Sequence, residues 1–148
     1  MPFPQTEIPG RLQAELSARG IRMTEQRRAI LSVIETAKKH LDAGQILRKA
    51  QRLNSSVDRS TVYRTLELLK RHRMVDELDL MHMEGEAHYY ERKLARDHIH
   101  MACLRCGKIT EFVSDIFDSL KQQLERDCRF TIVVARLEIG GYCSQCRR

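Results

Sequence analysis

Hydrophobic residues in the first half of the chain recur every three or four positions, which is the spacing of one face of an α-helix. This pattern predicts four helices, over about 6–19, 25–36, 43–53 and 59–72. Thr24 and Asp42 are suited to cap the second and third helices, and Gly20 to end the first. The residues expected to face inward are Leu12, Leu16, Ile30, Val33, Ile34, Ala37, Ala43, Ile46, Leu47, Ala50, Leu53, Val62, Leu66 and Leu69.

Two strand-like runs, 75–80 and 87–91, follow these helices and flank Gly85. Helices followed by a hairpin are typical of a winged helix-turn-helix, whose recognition helix would here be the fourth. The outer face of that helix is expected to carry Tyr63, Arg64, Lys70 and Arg71. Arginine can pair with guanine, and tyrosine can touch a thymine methyl group or a phosphate. The alternative is an ordinary helical bundle with a solvated basic face.

The second half has a different rhythm. Residues 98–102 and 108–113 alternate like strands, and 130–139 is a long β-rich run that ends at Gly140 and Gly141. Between them, Asp115 is expected to cap a helix with Ile116, Phe117, Leu120 and Leu124 on one face. The pattern predicts a small α/β domain with an antiparallel sheet. The fold class is therefore α+β, with a winged-helix domain over 1–91, a hinge over 92–96 and a second domain over 97–148.

Charge is distributed unevenly along the 148 residues, whose net charge is +6. Residues 1–73 carry 15 Lys and Arg against 7 Asp and Glu, whereas 74–91 carry six acids and no Lys or Arg. The positive excess in the first half is where a polyanion would bind. No apolar run approaches the length of a membrane span, and the first residues lack the apolar stretch of a signal peptide, so we expect a cytoplasmic protein.

Cysteine spacing is the strongest chemical signal in the chain. Cys103 and Cys106 form one C-x₂-C pair, and Cys143 and Cys146 form another. Two such pairs suit a tetrahedral, structural Zn(II) site with no open position, and loss of the metal should unfold the domain. The competing interpretation is a redox dithiol. Nothing assigns a function to the remaining Cys128.

A second, open metal site is suggested by imidazole and carboxylate side chains. His98 and His100 are two residues apart and would share one face of a strand. The other candidates, His40, Glu91 and Glu111, are not brought near them by spacing alone. Such a ligand set suits Fe(II), Mn(II), Zn(II) or Ni(II).

Five short segments follow one another along nearly the whole chain: Arg22-Met-Thr-Glu-Gln-Arg27, His40 ahead of Ala43, Ser60-Thr-Val-Tyr-Arg-Thr-Leu66, His98-x-His100-x₂-Cys103-x₂-Cys106-Gly107-Lys108 and Gly141-x-Cys143-x₂-Cys146. Together they resemble the ferric uptake regulator superfamily. The resemblance implies a homodimeric, metal-dependent transcriptional regulator, usually a repressor, that binds a double-stranded DNA operator. It also implies an N-terminal winged helix and a C-terminal α/β dimerisation domain.

The resemblance also assigns roles to individual residues. It places Tyr63 and Arg64 in the major groove and Arg22 at the minor groove. It places His40, Glu91, His98, His100 and Glu111 in a regulatory metal site between the domains, where a bound metal would set their relative angle. The additional site of many iron-sensing relatives is not expected, because Ile99 and Arg136 cannot ligate a metal there.

The sensed metal is expected to be Fe(II), with Mn(II) or Zn(II) as alternatives. Zinc-sensing relatives commonly have a hinge cysteine, and no cysteine precedes Cys103. Peroxide-sensing relatives have an aspartate where this chain has Glu91. His82 and His88 are expected to be solvated surface residues rather than further ligands.

Two functions from other classes compete with metal-dependent regulation. A metalloenzyme could use two histidines and a glutamate around one ion to activate water, but the chain has no H-E-x-x-H signature. A redox switch could release zinc when the C-x₂-C thiols are oxidised.

Overall fold

The computed structural model describes residues 10–37, 40–78, 88–93 and 96–147. Within these ranges the chain forms two compact units, one built from residues up to 93 and the other from residue 96 onward. Each unit contains a three-stranded sheet. The predicted turn at Gly85 lies outside the described residues, as do the predicted start of the first helix near Thr6 and His82.

The first unit is a winged helix. Its elements in chain order are α1 (Arg11–Ala18), α2 (Glu25–Glu35), β1 (Leu41–Asp42), α3 (Ala43–Leu53), α4 (Arg59–Arg71), β2 (Val75–Leu78) and β3 (Tyr89–Arg92). β3 lies between β1 and β2 and is antiparallel to both. β1 was not predicted, because a strand of two residues carries no periodic pattern.

Short polar side chains fix where these helices begin. Thr24 accepts a hydrogen bond from the backbone N–H of Arg27, as predicted. Asp42 and Gln45 form a reciprocal capping box at the start of α3. Asp58, which the pattern did not single out, accepts from the N–H of Thr61 at 2.7 Å and begins α4. This hydrogen bond lowers the pKa of the Asp58 carboxyl.

One core holds the helices and the sheet of the first unit together. The predicted inward positions are buried or packed against this core, with one exception. Leu53 was expected to face inward but is 62% exposed, so that prediction is wrong. It lies in the last turn of α3, where the chain leaves the core at the loop 54–58. Within that loop, Val57 is the residue whose side chain is buried.

The second unit has a mixed sheet rather than the predicted antiparallel one. Its elements are β4 (Ile99–Cys103), β5 (Ile109–Phe112), α5 (Asp115–Cys128) and β6 (Leu137–Gly141). β4 lies in the middle, antiparallel to β5 and parallel to β6. After β5 the chain leaves along α5 and returns through residues 129–136 to the end of β4 at Ile99. β6 must therefore start there and run parallel to β4.

Three further predictions for the second unit need correction. Residues 130–136 are not a strand, since they have no pairing partner within the described ranges and the Phe130, Val133 and Val134 side chains are exposed. Ser114, rather than Asp115, caps α5 by accepting from the N–H of Ile116. The expected apolar face of α5 is buried at Phe117 but exposed at Ile116, Leu120 and Leu124.

Among the residues that the structure describes, no helix combines the length and apolar character needed to span a bilayer.

Candidate functional site

The four cysteines of the two C-x₂-C pairs converge on one point. Their Sγ atoms all lie within 4.8 Å of one another, and Sγ of Cys106 is 3.8 Å from Sγ of Cys143. Thiolates about 2.3 Å from a tetrahedral zinc ion would be separated by roughly this sulfur–sulfur distance. The cluster of Cys103, Cys106, Cys143 and Cys146 therefore fits a four-coordinate Zn(II) ion.

The parallel pairing of β4 with β6 is what brings the two cysteine pairs together. Cys103 is paired in register with Gly141, so both pairs begin at the same end of the sheet. Each pair then forms a tight turn: the N–H of Gly107 donates to the carbonyl of Cys103 at 2.9 Å, and that of Cys146 to Cys143 at 2.8 Å. Gly107 has φ +70°, a conformation that favours glycine.

Electrostatics within this cluster favour a thiolate at Cys103 and oppose one at Cys146. The backbone N–H of Cys143 donates to Sγ of Cys103 at 3.4 Å and, with other backbone donors, lowers the pKa of Cys103 to about 6. Contact with the Cys143 thiol, together with burial, raises the pKa of Cys146 to about 12. A divalent cation at the centre would remove this opposition, because it stabilises all four thiolates.

His40 and Glu91 form a buried pair in the first unit. Leu41 is paired with Tyr90 in the antiparallel register of β1 and β3, which places the preceding His40 beside Glu91. Nε2 of His40 lies 2.6 Å from Oε2 of Glu91, and the two side chains are only 6% and 9% exposed. An imidazole nitrogen and a carboxylate oxygen this close can serve as two ligands of one metal ion.

His98 and His100 form a buried pair in the second unit. Their Nε2 atoms are 3.0 Å apart, and Nδ1 of His98 lies 3.3 Å from the carbonyl oxygen of Arg96. A proton on Nδ1 of His98 satisfies that carbonyl and leaves a lone pair on Nε2 facing His100. Two nitrogens at this distance need a proton or a cation between them. Glu111 lies opposite His100 in the register of β5.

The first unit presents a polar surface on α4. Tyr63 and Arg64 are exposed there, as predicted, and Nη2 of Arg64 lies 3.4 Å from Oγ of Ser60. The guanidinium of Arg59 lies 5.6 Å from the centre of the Tyr63 ring. Arg59 extends this surface toward the start of the helix, where recognition helices contact bases. The sequence pattern did not single out Arg59, because a helix-initial arginine is common in solvated helices.

Comparison with known proteins identifies the family. A model described as the ferric uptake regulator family matches residues 18–140. The chain belongs to the ferric uptake regulator family.

Individual family members are similar over nearly the whole chain. The chain is 35% identical over 139 residues to the ferric uptake regulation protein of Synechococcus elongatus, covering 93% of both. It is 30% identical to the structure of the ferric uptake regulator from Francisella tularensis with iron, with a TM-score of 0.72, covering 87% of this chain and 96% of that one. It is 31% identical to a zinc-bound manganese uptake regulator, with a TM-score of 0.68 and coverage of 89% and 98%.

Three residues of this ferric uptake regulator family chain lie apart from the clusters just described. His88 is exposed, and its Nδ1 lies 3.3 Å from a carboxylate oxygen of Glu77. Cys128 is an exposed free thiol at the end of α5 and is not part of the cysteine cluster. Arg22 is exposed ahead of α2, and its carbonyl accepts a hydrogen bond from the guanidinium of Arg27.

Proposed function

We propose that this protein is a metal-dependent, DNA-binding transcriptional repressor that responds to Fe(II) in the cytoplasm and controls genes of metal homeostasis. One observation carries the proposal beyond the family assignment. Each compact unit holds its own buried pair of metal-ligating side chains, His40 with Glu91 in one and His98 with His100 in the other.

The regulatory metal is proposed to bind His40, Glu91, His98, His100 and Glu111. We take the DNA-binding domain as 1–91, the hinge as 92–96 and the dimerisation domain as 97–148. Ligands on both sides of the hinge would fix the angle between the domains. The two recognition helices of a dimer could then match half-sites about one helical turn apart.

Fe(II) is preferred over Zn(II) because no cysteine precedes Cys103, so the proposed site lacks the thiolate that zinc-sensing relatives commonly supply. The imidazoles and carboxylates alone would also suit Mn(II) or Ni(II). The similar Francisella tularensis structure is described as containing iron, which agrees with this choice. A zinc-responsive regulator is the alternative, since a similar manganese uptake regulator is zinc-bound. A peroxide-responsive regulator is less favoured, because Glu91 stands where an aspartate is expected for that function.

The cysteine cluster is proposed to hold a structural Zn(II). Cys103, Cys106, Cys143 and Cys146 would fill all four tetrahedral positions, so the ion would stabilise the second unit and take no part in sensing. The ion would tie the end of β6 to the end of β4.

On the DNA side, Tyr63 and Arg64 of α4 are proposed to enter the major groove, and Arg22 to reach the minor groove. The positive excess of residues 1–73 supports this side as the one that faces phosphates.

The protein is proposed to act as a homodimer through the second unit. Support comes from the large apolar side chains that this unit exposes, because exposed apolar surface is typical of an interface between subunits. They include Ile116, Leu120, Leu124, Phe130, Val133 and Val134.

A DNA-binding titration tests the proposed function. An operator is selected from random duplexes with Fe(II) under anaerobic conditions, and affinity is then measured by fluorescence anisotropy with and without Fe(II), Mn(II) or Zn(II). We expect Fe(II) to raise the affinity at least about tenfold. The rise should disappear in His98→Ala, whereas that variant should keep its structural zinc. DNA affinity that does not change with any metal would overturn the proposal.

A further inference from the structure

Four ion pairs fasten the residues just before His98 to helix α5. Nη2 of Arg96 lies 2.8 Å from Asp115 and 2.5 Å from Asp118. Nζ of Lys121 lies 2.5 Å from Asp97 and 2.9 Å from Asp118. Asp118 therefore contacts both cations and is the centre of the network.

The network has a firm base on α5. The Lys121 side chain is only 20% exposed, and its ammonium lies 5.4 Å from the ring centre of the buried Phe117. A single exposed ion pair contributes little, but a set of shared pairs with one partly buried member holds its geometry better. Arg96 and Asp97 are thus both held by side chains of α5.

His98 takes its orientation from this anchored segment. Its Nδ1 faces the carbonyl oxygen of Arg96 at 3.3 Å, so that carbonyl accepts the Nδ1 proton and leaves Nε2 for a metal. His98 is itself buried, and its Nε2 faces His100. If the Arg96 backbone shifts, the imidazole loses the partner that selects its tautomer.

We propose that Asp118 is a positioning residue for the regulatory metal site, which it supports by holding Arg96 and, through Lys121, Asp97. This inference rests on the proposed function, in which His98 is a metal ligand. It also links metal affinity to the proposed dimer surface, because α5 carries both Asp118 and the exposed apolar side chains Ile116, Leu120 and Leu124.

The test compares Asp118→Asn with Asp127→Asn in the zinc-loaded protein of 148 residues. Asp127 is an exposed carboxylate near the end of the same helix and serves as the matched control. The affinity for Co(II) at the regulatory site is measured by its visible absorption. We expect Asp118→Asn to weaken Co(II) binding about 3- to 10-fold. This is less than the roughly 10- to 100-fold typical of a group that hydrogen-bonds a metal ligand directly, because Asp115 still contacts Arg96 and Asp97 still contacts Lys121. Asp127→Asn should bind like the unsubstituted protein.

Two further measurements separate positioning from general damage. The tautomer of His98, read from imidazole ¹⁵N shifts in the zinc-loaded protein, should be Nδ1–H normally and mixed in Asp118→Asn. Asp118→Glu should restore most of the affinity, while zinc content and melting temperature stay unchanged in all variants.

The outcomes distinguish this inference from the proposed function. If the unsubstituted protein binds no second metal, the proposed function fails. If it does bind and Asp118→Asn binds equally well, only the positioning role is overturned. If Asp118→Asn instead binds one metal equivalent fewer than the unsubstituted protein, and that equivalent is not the one at the His98 site, Asp118 is itself a ligand. That result would also overturn the positioning role.

Discussion

Nε2 of His40 lies 2.6 Å from Oε2 of Glu91, across the antiparallel pair of β1 and β3. Fifty residues of sequence separate the two, and the antiparallel register of β1 and β3 places them side by side. Because both side chains are almost fully buried, an imidazole and a carboxylate at this distance need a shared proton or a shared cation.

Replacement of either residue should abolish metal-dependent DNA binding. We expect His40→Ala and Glu91→Ala to lose most of the Fe(II)-induced gain in DNA affinity, because each removes a proposed ligand. Zinc content should stay unchanged. Anisotropy titrations with Fe(II) measure the gain, and His88→Ala is the control because His88 is exposed beside Glu77. A normal response in both His40→Ala and Glu91→Ala would contradict their assignment as ligands.

The sequence pattern predicted the winged helix well because local signals there agree. Periodic apolar residues, the Thr24 and Asp42 caps and the helix end at Gly20 each determine the structure of residues only a few positions away. The sequence pattern failed where the structure depends on residues far apart in the sequence. The pairing of Leu41 with Tyr90 and the parallel direction of β6 depend on where the chain returns in space. Residues 130–136 have strand-forming side chains but no strand beside them within the described part of the chain.

The same difference applies to the candidate sites. The C-x₂-C spacing is a local signal, and two copies sufficed to predict the cysteine cluster. The pairing of His98 with His100 also follows from a spacing of two on an extended chain. No spacing connects His40 to Glu91, so these two candidates were placed in one site only by the family resemblance.

Removal of the cysteine cluster should unfold the second unit. Cys143→Ser deletes one of four sulfurs that lie within 4.8 Å of one another, and zinc binding in such sites contributes roughly 10–16 kcal/mol. We expect the variant to contain little zinc and to lose β-sheet signal, as measured by metal analysis and circular dichroism. Cys128→Ser should behave like the unsubstituted protein, since Cys128 is exposed and apart from the cluster. Full zinc content in Cys143→Ser would argue against a four-sulfur site.

Base recognition and phosphate attraction can be separated on α4. Arg64→Ala should weaken operator binding by about 1–3 kcal/mol and relax sequence preference, as expected for loss of an arginine–guanine pair. Arg71→Ala, at the other end of the helix, removes the same charge and should leave preference intact. Selection from random duplexes compares the two. If Arg64→Ala and Arg71→Ala lose sequence preference equally, or if neither loses it, Arg64 does not read a base.

Alkaline pH should weaken the sheet of the first unit through Tyr90. Burial, assisted by the nearby charge of Glu77, raises the pKa of Tyr90 from 10.0 to about 12. Its hydroxyl donates to Glu77 at 3.2 Å. Because the folded state holds this proton more tightly, the contribution to stability is complete below pH 10 and is lost as the pH rises toward 12.

Tyr90→Phe provides the measurement of this effect. The difference in phenolate absorbance between the unsubstituted protein and the variant isolates the titration of Tyr90, which we expect near pH 12. The free energy of unfolding should fall less steeply between pH 10 and 12 in the variant. A titration of Tyr90 near pH 10 would show that its hydroxyl is not held by the fold.

The start of α1 depends on a carboxylate from another helix. Gly10 offers no side chain to cap α1, and Glu35 of α2 instead accepts the N–H groups of Gly10, at 3.0 Å, and Leu12. Glu35→Ala would leave these donors without that acceptor and should cost about 1–3 kcal/mol in the free energy of unfolding. Urea titration measures the loss, and hydrogen exchange should show it first in the amides of α1.

Glu35→Gln keeps one acceptor oxygen and should lose less stability. Glu25→Ala, which removes an exposed carboxylate from the same helix, should change stability by no more than about 0.5 kcal/mol. Equal effects of Glu35→Ala and Glu25→Ala would show that Glu35 does not cap α1.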